Sequence, residues 1–231
     1  MNYKLTFSLR MYNMKKIALV AVLATSAAMA APFNGFSVGG DLGVSFNKVT
    51  GVGADGVKST DKKSTIIGSL LVGYAKSFNN MFVGLDLGLG FEGKANYDRK
   101  DAAGKKSGTV YLKPGVSFQM NPRVGYKFND TMAGYFKLGM SVAKNEWKYK
   151  TLASVEQAQG KRTVFSWTPA LGLEKAFGNV SMRGELGYKM TGNKKVFKTA
   201  NTGNAAGNAI VLDTKIKRKA VVMTVGVAYN F

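Results

Sequence analysis

Over most of its length this chain alternates: every second residue is large and apolar, and those between are small, polar or charged. A period of two describes a β-strand with one greasy face, and it leaves little room for helix. The last eleven residues show it most plainly. Val221, Met223, Val225, Val227, Tyr229 and Phe231 share one parity, while Val222, Thr224, Gly226, Ala228 and Asn230 fill the other. Strand character runs to the final aromatic residue, where a soluble domain would ordinarily fray.

Seven more stretches repeat the pattern. They cover about 36–46, 64–78, 81–92, 110–128, 132–142, 165–177 and 180–190. The fourth is the longest, because one apolar parity passes from Val110 to Phe128 straight through Asn121-Pro122. Asn-Pro ordinarily marks a turn. The unbroken parity favours a single long strand, with a bulge expected at Pro122 where a ladder hydrogen bond is forfeited. Three connections are tight: Phe78-Asn79-Asn80, Phe128-Asn129-Asp130 and Phe177-Gly178-Asn179. The others, near 47–63, 93–109, 145–162 and 191–217, are long and polar, rich in Lys, Gly and Asn. Phe78, Phe128, Phe177 and Phe231 lie 50, 49 and 54 residues apart, so one hairpin unit recurs four times.

The side on which the apolar row lies follows from volume. Eight strands would enclose a lumen only just wide enough to be filled by side chains, and roughly forty large apolar residues cannot enter it. The glycine, serine, alanine and charged set fits. The apolar row therefore faces outward, and about nine residues per strand at a tilt near 40° cover the roughly 25 Å of a membrane band. The expected fold is all-β: an eight-stranded antiparallel up-and-down transmembrane β-barrel with short periplasmic turns and long extracellular loops. The near-neutral mean hydropathy of −0.07 agrees, since alternating strands average to a bland value.

The chain also carries the marks of export. Lys15 and Lys16 precede an apolar run from Ile17 to Thr25, and Ser26-Ala27-Ala28-Met29-Ala30 offers a small-x-small cleavage site before Ala31. The run is too short to span a bilayer. Residues 14–30 are expected to be a cleaved signal peptide, residues 1–13 an extension upstream of a true start at Met14, and residues 31–231 the barrel. The four basic and no acidic residues of 1–30 reduce the formal charge from +20 to +16.

Composition narrows the chemistry. There is no cysteine, hence no disulfide and no thiolate metal site. There is no histidine, which removes the commonest general base and the commonest metal ligand together. No catalytic, cofactor-binding or metal site is expected. The inward charges are ordered instead. Asp41, Asp86, Arg123, Lys137 and Glu185 fall at one depth, with Glu174 and Arg183 two residues lower. Buried charges persist only when paired, so these seven are expected to form a plug across the lumen. The alternative is a water-filled, narrow channel for ions or small solutes. Positive charge concentrates in the loops: over 189–219, the last loop with its flanks, Lys189, Lys194, Lys195, Lys198, Lys215, Lys217, Arg218 and Lys219 stand against Asp213 alone. A cationic outer rim suits the phosphates of lipopolysaccharide or an outside ligand on a host or neighbouring surface. Nucleic acid is not expected as a partner, because no aromatic residues interleave these lysines.

Several segments carry a family likeness: Pro32-Phe33-Asn34-Gly35-Phe36-Ser37-Val38-Gly39-Gly40, Pro122-Arg123-Val124-Gly125-Tyr126-Lys127-Phe128, Thr168-Pro169-Ala170-Leu171-Gly172-Leu173-Glu174 and Val225-Gly226-Val227-Ala228-Tyr229-Asn230-Phe231. With these the chain resembles the small opacity-type and OmpA-like outer-membrane β-barrels of Gram-negative bacteria, barrel domain only. The resemblance implies residence in the cell outer membrane. It also implies recognition of the last strand by the barrel-assembly machinery, through Val225, Val227, Tyr229 and Phe231.

Overall fold

The computed structural model describes residues 33–52, 58–100, 106–151, 156–195 and 215–231. The expected signal peptide with its upstream extension, and Lys198 and Asp213 of the last loop, lie outside the described residues.

Every described element is a strand. In chain order they are β1 (Gly35–Val52), β2 (Lys58–Phe78), β3 (Met81–Glu92), β4 (Ala95–Lys100), β5 (Lys106–Lys113), β6 (Ser117–Lys127), β7 (Met132–Thr151), β8 (Glu156–Phe177), β9 (Val180–Lys195) and β10 (Lys215–Asn230). All pair antiparallel in one sheet of order β4-β5-β7-β6-β3-β2-β1-β10-β9-β8, with a further pairing of β7 to β8. The expected eight-stranded barrel is thereby corrected to a ten-stranded sheet.

Two interruptions account for the difference. The polar stretch after Glu92 was expected to be loop, but after Gly93-Lys94 it re-enters the sheet as β4. The long strand expected over 110–128 divides at Pro114-Gly115-Val116 into β5 and β6, which pair with β7 in turn through Lys113↔Glu146 and Ser117↔Ala143. Pro114, which has no N–H for a ladder, stands at that break. Pro122 is not a bulge. Register continues unshifted from Met120↔Met140 to Arg123↔Lys137, and Leu85↔Pro122 holds the other side. Strands also run into stretches expected as loop, to Val52 and Thr151 and again from Lys58, Glu156 and Lys215. Beyond the apolar band a strand no longer needs a greasy face, so the signal that marked its ends disappears while its backbone pairing continues.

The tight turns lie where expected. Phe78 pairs with Met81 and Phe177 with Val180, so each hairpin turns on two residues. Asn79 and Gly178 take the left-handed conformation (φ 52° and 60°), which Gly and Asn adopt most readily. At the third turn the Asn129 side-chain oxygen accepts from the N–H of Thr131 (2.9 Å) and of Met132 (2.8 Å).

Exposure decides which face is which. Leu42, Ile66, Leu171 and Val225 are 67–73% exposed, whereas Ser45, Asp86 and Ala133 are 0–2%. The apolar parity looks outward and the small or charged parity inward. Side chains of strands that are not neighbours in the sheet meet there, as Arg183 of β9 meets Asp86 of β3.

Candidate functional site: a buried charge network

All seven inward charges point into the same interior, and two linked sets account for them. In the first, Arg183 lies 2.8 Å from Asp41 and 3.5 Å from Asp86. Asp86 also approaches Arg123 at 3.6 Å, and Arg123 reaches Glu174 at 2.6 Å. Asp86 therefore joins the two arginines, and Ser69 donates to Asp41 at 3.2 Å. In the second set Lys137 pairs with Glu185, which also accepts from the Tyr135 hydroxyl at 2.7 Å and from Thr224 at 3.3 Å. Asp41, Asp86, Arg123, Lys137, Glu174 and Arg183 are each buried.

The strands bring these groups together by register. Asp41 of β1 pairs with Gly226 of β10, and Gly226 with Arg183 of β9. The residue between the ion-pair partners thus has no side chain. A Cβ on Gly226 would fall on the Asp41 carboxylate.

Below this layer, toward the turns, lies an aromatic cluster that the alternation conceals. Phe33 and Phe82 stack at 5.3 Å, and Phe82 meets Tyr135 edge-on at 6.3 Å. The Arg123 guanidinium sits over both the Phe82 and Tyr135 rings, at 5.5 and 5.6 Å. Phe82 takes the inward parity of β3, opposite Gly125 of β6, where any Cβ would strike its ring. A large apolar residue on the small-residue parity, facing glycine, is the signal that would have found it.

A third group lies nearer the open ends of the strands. Glu92 pairs with Lys189 at 3.1 Å and with Arg218, whose Nε donates to Asn47 at 2.8 Å. Asn47 donates to Thr65 at 2.9 Å, and Thr65 donates on to Glu92 at 3.2 Å. Lys189 and Arg218 were expected in a basic rim. Lys189 instead lies within the sheet interior, and Arg218 is buried. In the β4 extension, burial and then Asp61 push the Tyr97 hydroxyl well above its ordinary range.

Val225, Val227 and Tyr229 lie on the outer face of β10, away from the network. Phe231 N–H donates to the Phe36 carbonyl at 2.8 Å, joining the last residues to β1. Among the described residues no group of three potential ligands could hold a metal ion. The network's groups are committed to one another, so its chemistry is that of mutual neutralisation.

Known proteins bear on this architecture. Among solved structures, the chain is similar to the attachment invasion locus protein Ail of Yersinia pestis. That match has 14% identity and a TM-score of 0.42, over 86% of this chain and 99% of that one. Neisserial surface protein A matches at 16% identity and a TM-score of 0.42, covering 86% and 98%. The outer membrane protease OmpT of Escherichia coli matches at 10% and 0.49, covering 89% and 100%. A search of curated proteins gave no match. The family model for the outer membrane protein beta-barrel domain matches residues 17–231. The chain belongs to that family, and its place is the bacterial outer membrane.

Proposed function

We propose that the protein is a non-enzymatic surface protein whose interior is closed by its ion pairs on the turn side and whose outer face binds lipopolysaccharide. The observation that carries this reading is a row of three lysines. Lys219 of β10 pairs with Lys48 of β1, and Lys48 with Lys62 of β2. All three are exposed and stand on the outward parity, with Lys48 one step beyond Phe46 and Lys219 one step beyond Val221. Neighbouring strands are about 4.8 Å apart, and like charges directly opposite repel. Such a row at the edge of the apolar band is stabilised by multivalent anions at the headgroup level, which lipopolysaccharide phosphates supply.

Absence of histidine anywhere in the chain supports a non-enzymatic role. The signal peptide would be cleaved before Ala31, and the assembly machinery would read Val225, Val227, Tyr229 and Phe231. The basic stretches between strands would meet any outside ligand. The rival reading, a narrow channel, requires a water path through the ion pairs and the aromatic cluster beneath them.

Unfolding in bilayers tests the lysine row. Lipopolysaccharide in the outer leaflet should raise the urea midpoint above that in zwitterionic lipid, and added salt should shrink the difference. The combined Lys48→Gln, Lys62→Gln and Lys219→Gln variant should lose most of that gain. Equal gains for the variant and the parent protein would contradict the proposal.

A further inference from the structure

Between the charge layer and the open ends of the strands, the interior holds a cavity of about 140 Å³. Each water needs only one probe sphere of such space, so the cavity has room for a solute of several waters' size. Apart from Arg218 Nη2, which is ion-paired with Glu92, two polar atoms on its wall have no hydrogen-bond partner: the indole N–H of Trp147 and the side-chain oxygen of Asn145. Both residues are more than nine-tenths buried, at 4% and 6% exposure. They stand two residues apart on the inward parity of β7, and Arg162 of β8 pairs directly with Asn145. Among the described residues no carboxylate is paired with Arg162. Above the charge layer the wall carries Arg162, Lys189 and Arg218 against Glu92 alone, and Glu92 already serves the latter two.

Buried polar groups are nearly always satisfied, and an unmatched cation beside an open acceptor and an open donor has a definite complement. The complement carries negative charge for Arg162, a hydroxyl to donate to Asn145 and an acceptor for the Trp147 N–H. We propose that this cavity binds a small hydroxylated anion of monosaccharide size, such as a sugar phosphate. The site lies on the inner face, so phosphates of membrane lipid on the outer face do not reach it; the occupant is a soluble solute entering from the open end.

The chain contains two tryptophans, and Trp167 lies on the outer face. A Trp167→Phe protein therefore leaves Trp147 as the only indole reporter. Refolded in detergent free of lipopolysaccharide, it is titrated at constant ionic strength with glucose 6-phosphate and, separately, with glucose. The emission should change saturably, with half-saturation by glucose 6-phosphate about tenfold lower than by glucose, because the charged head adds charge-assisted hydrogen bonds. Arg162→Gln on that background should raise the half-saturation for glucose 6-phosphate about tenfold. If Arg162→Gln does not refold, Asn145→Ala is held to the same criterion. No saturable change, or a curve that the substitution leaves unmoved, would overturn the proposal and show a cavity filled by water alone.

Discussion

Replacing Arg183 by leucine is expected to destabilise the folded protein by about 3–5 kcal/mol, the range for stripping one partner from a buried ion pair. The magnitude follows from what the guanidinium holds. Arg183 serves Asp41 at 2.8 Å and Asp86 at 3.5 Å. Without it Asp86 keeps Arg123, but among the described residues Asp41 keeps only the Ser69 hydroxyl at 3.2 Å. A carboxylate left alone in the interior loses its solvation without gaining a partner. The second half of the test removes Asp41 as well. Arg183→Leu combined with Asp41→Asn should recover much of the loss, since deleting both members of a buried pair is often close to neutral. Urea midpoints in detergent, followed by the gel mobility of unboiled samples, measure both. If Arg183→Leu unfolds at the parent midpoint, the pairing contributes nothing to stability.

The other large effect belongs to Phe82. Truncation to alanine is expected to cost about 3–5 kcal/mol, as for a fully buried aromatic side chain. Phe82 has 0% exposure, stacks on Phe33 and lies beneath the Arg123 guanidinium. Gly125 opposite it has no side chain to relax into the gap. Phe78 provides the control: it is 58% exposed on the outer face at the turn end, and its truncation should cost far less. Equal midpoint shifts for Phe78→Ala and Phe82→Ala would mean that the cluster does not pack as a unit.

These two residues also mark how far the sequence could be read. Arg183 was legible, because a charged residue on the parity of glycines and serines must look inward, and register carries it to Asp41 through Gly226. Phe82 was not, because the rule that sends apolar residues to lipid passes over one that turns inward. Phe33 escaped for a different reason: it precedes β1, so no strand parity governs it. Proline misled in a similar way. Pro114 and Pro122 share one parity, yet the strand breaks at Pro114, beside Gly115 and Val116, and continues through Pro122, which β3 supports on its other side. Which proline a sheet tolerates depends on the neighbouring strand, and that is a tertiary fact. Arg218 was misplaced because its neighbours Lys217 and Lys219 are both exposed, and alternation alone set it inward toward Glu92.

In the proposed function, paired charges above a packed aromatic cluster seal the interior. Electrical conductance of the purified, refolded protein in a planar lipid bilayer tests it most directly. The sealed interior predicts a membrane that stays silent under applied voltage. Stable single-channel steps of reproducible size, seen in repeated insertions, would contradict it.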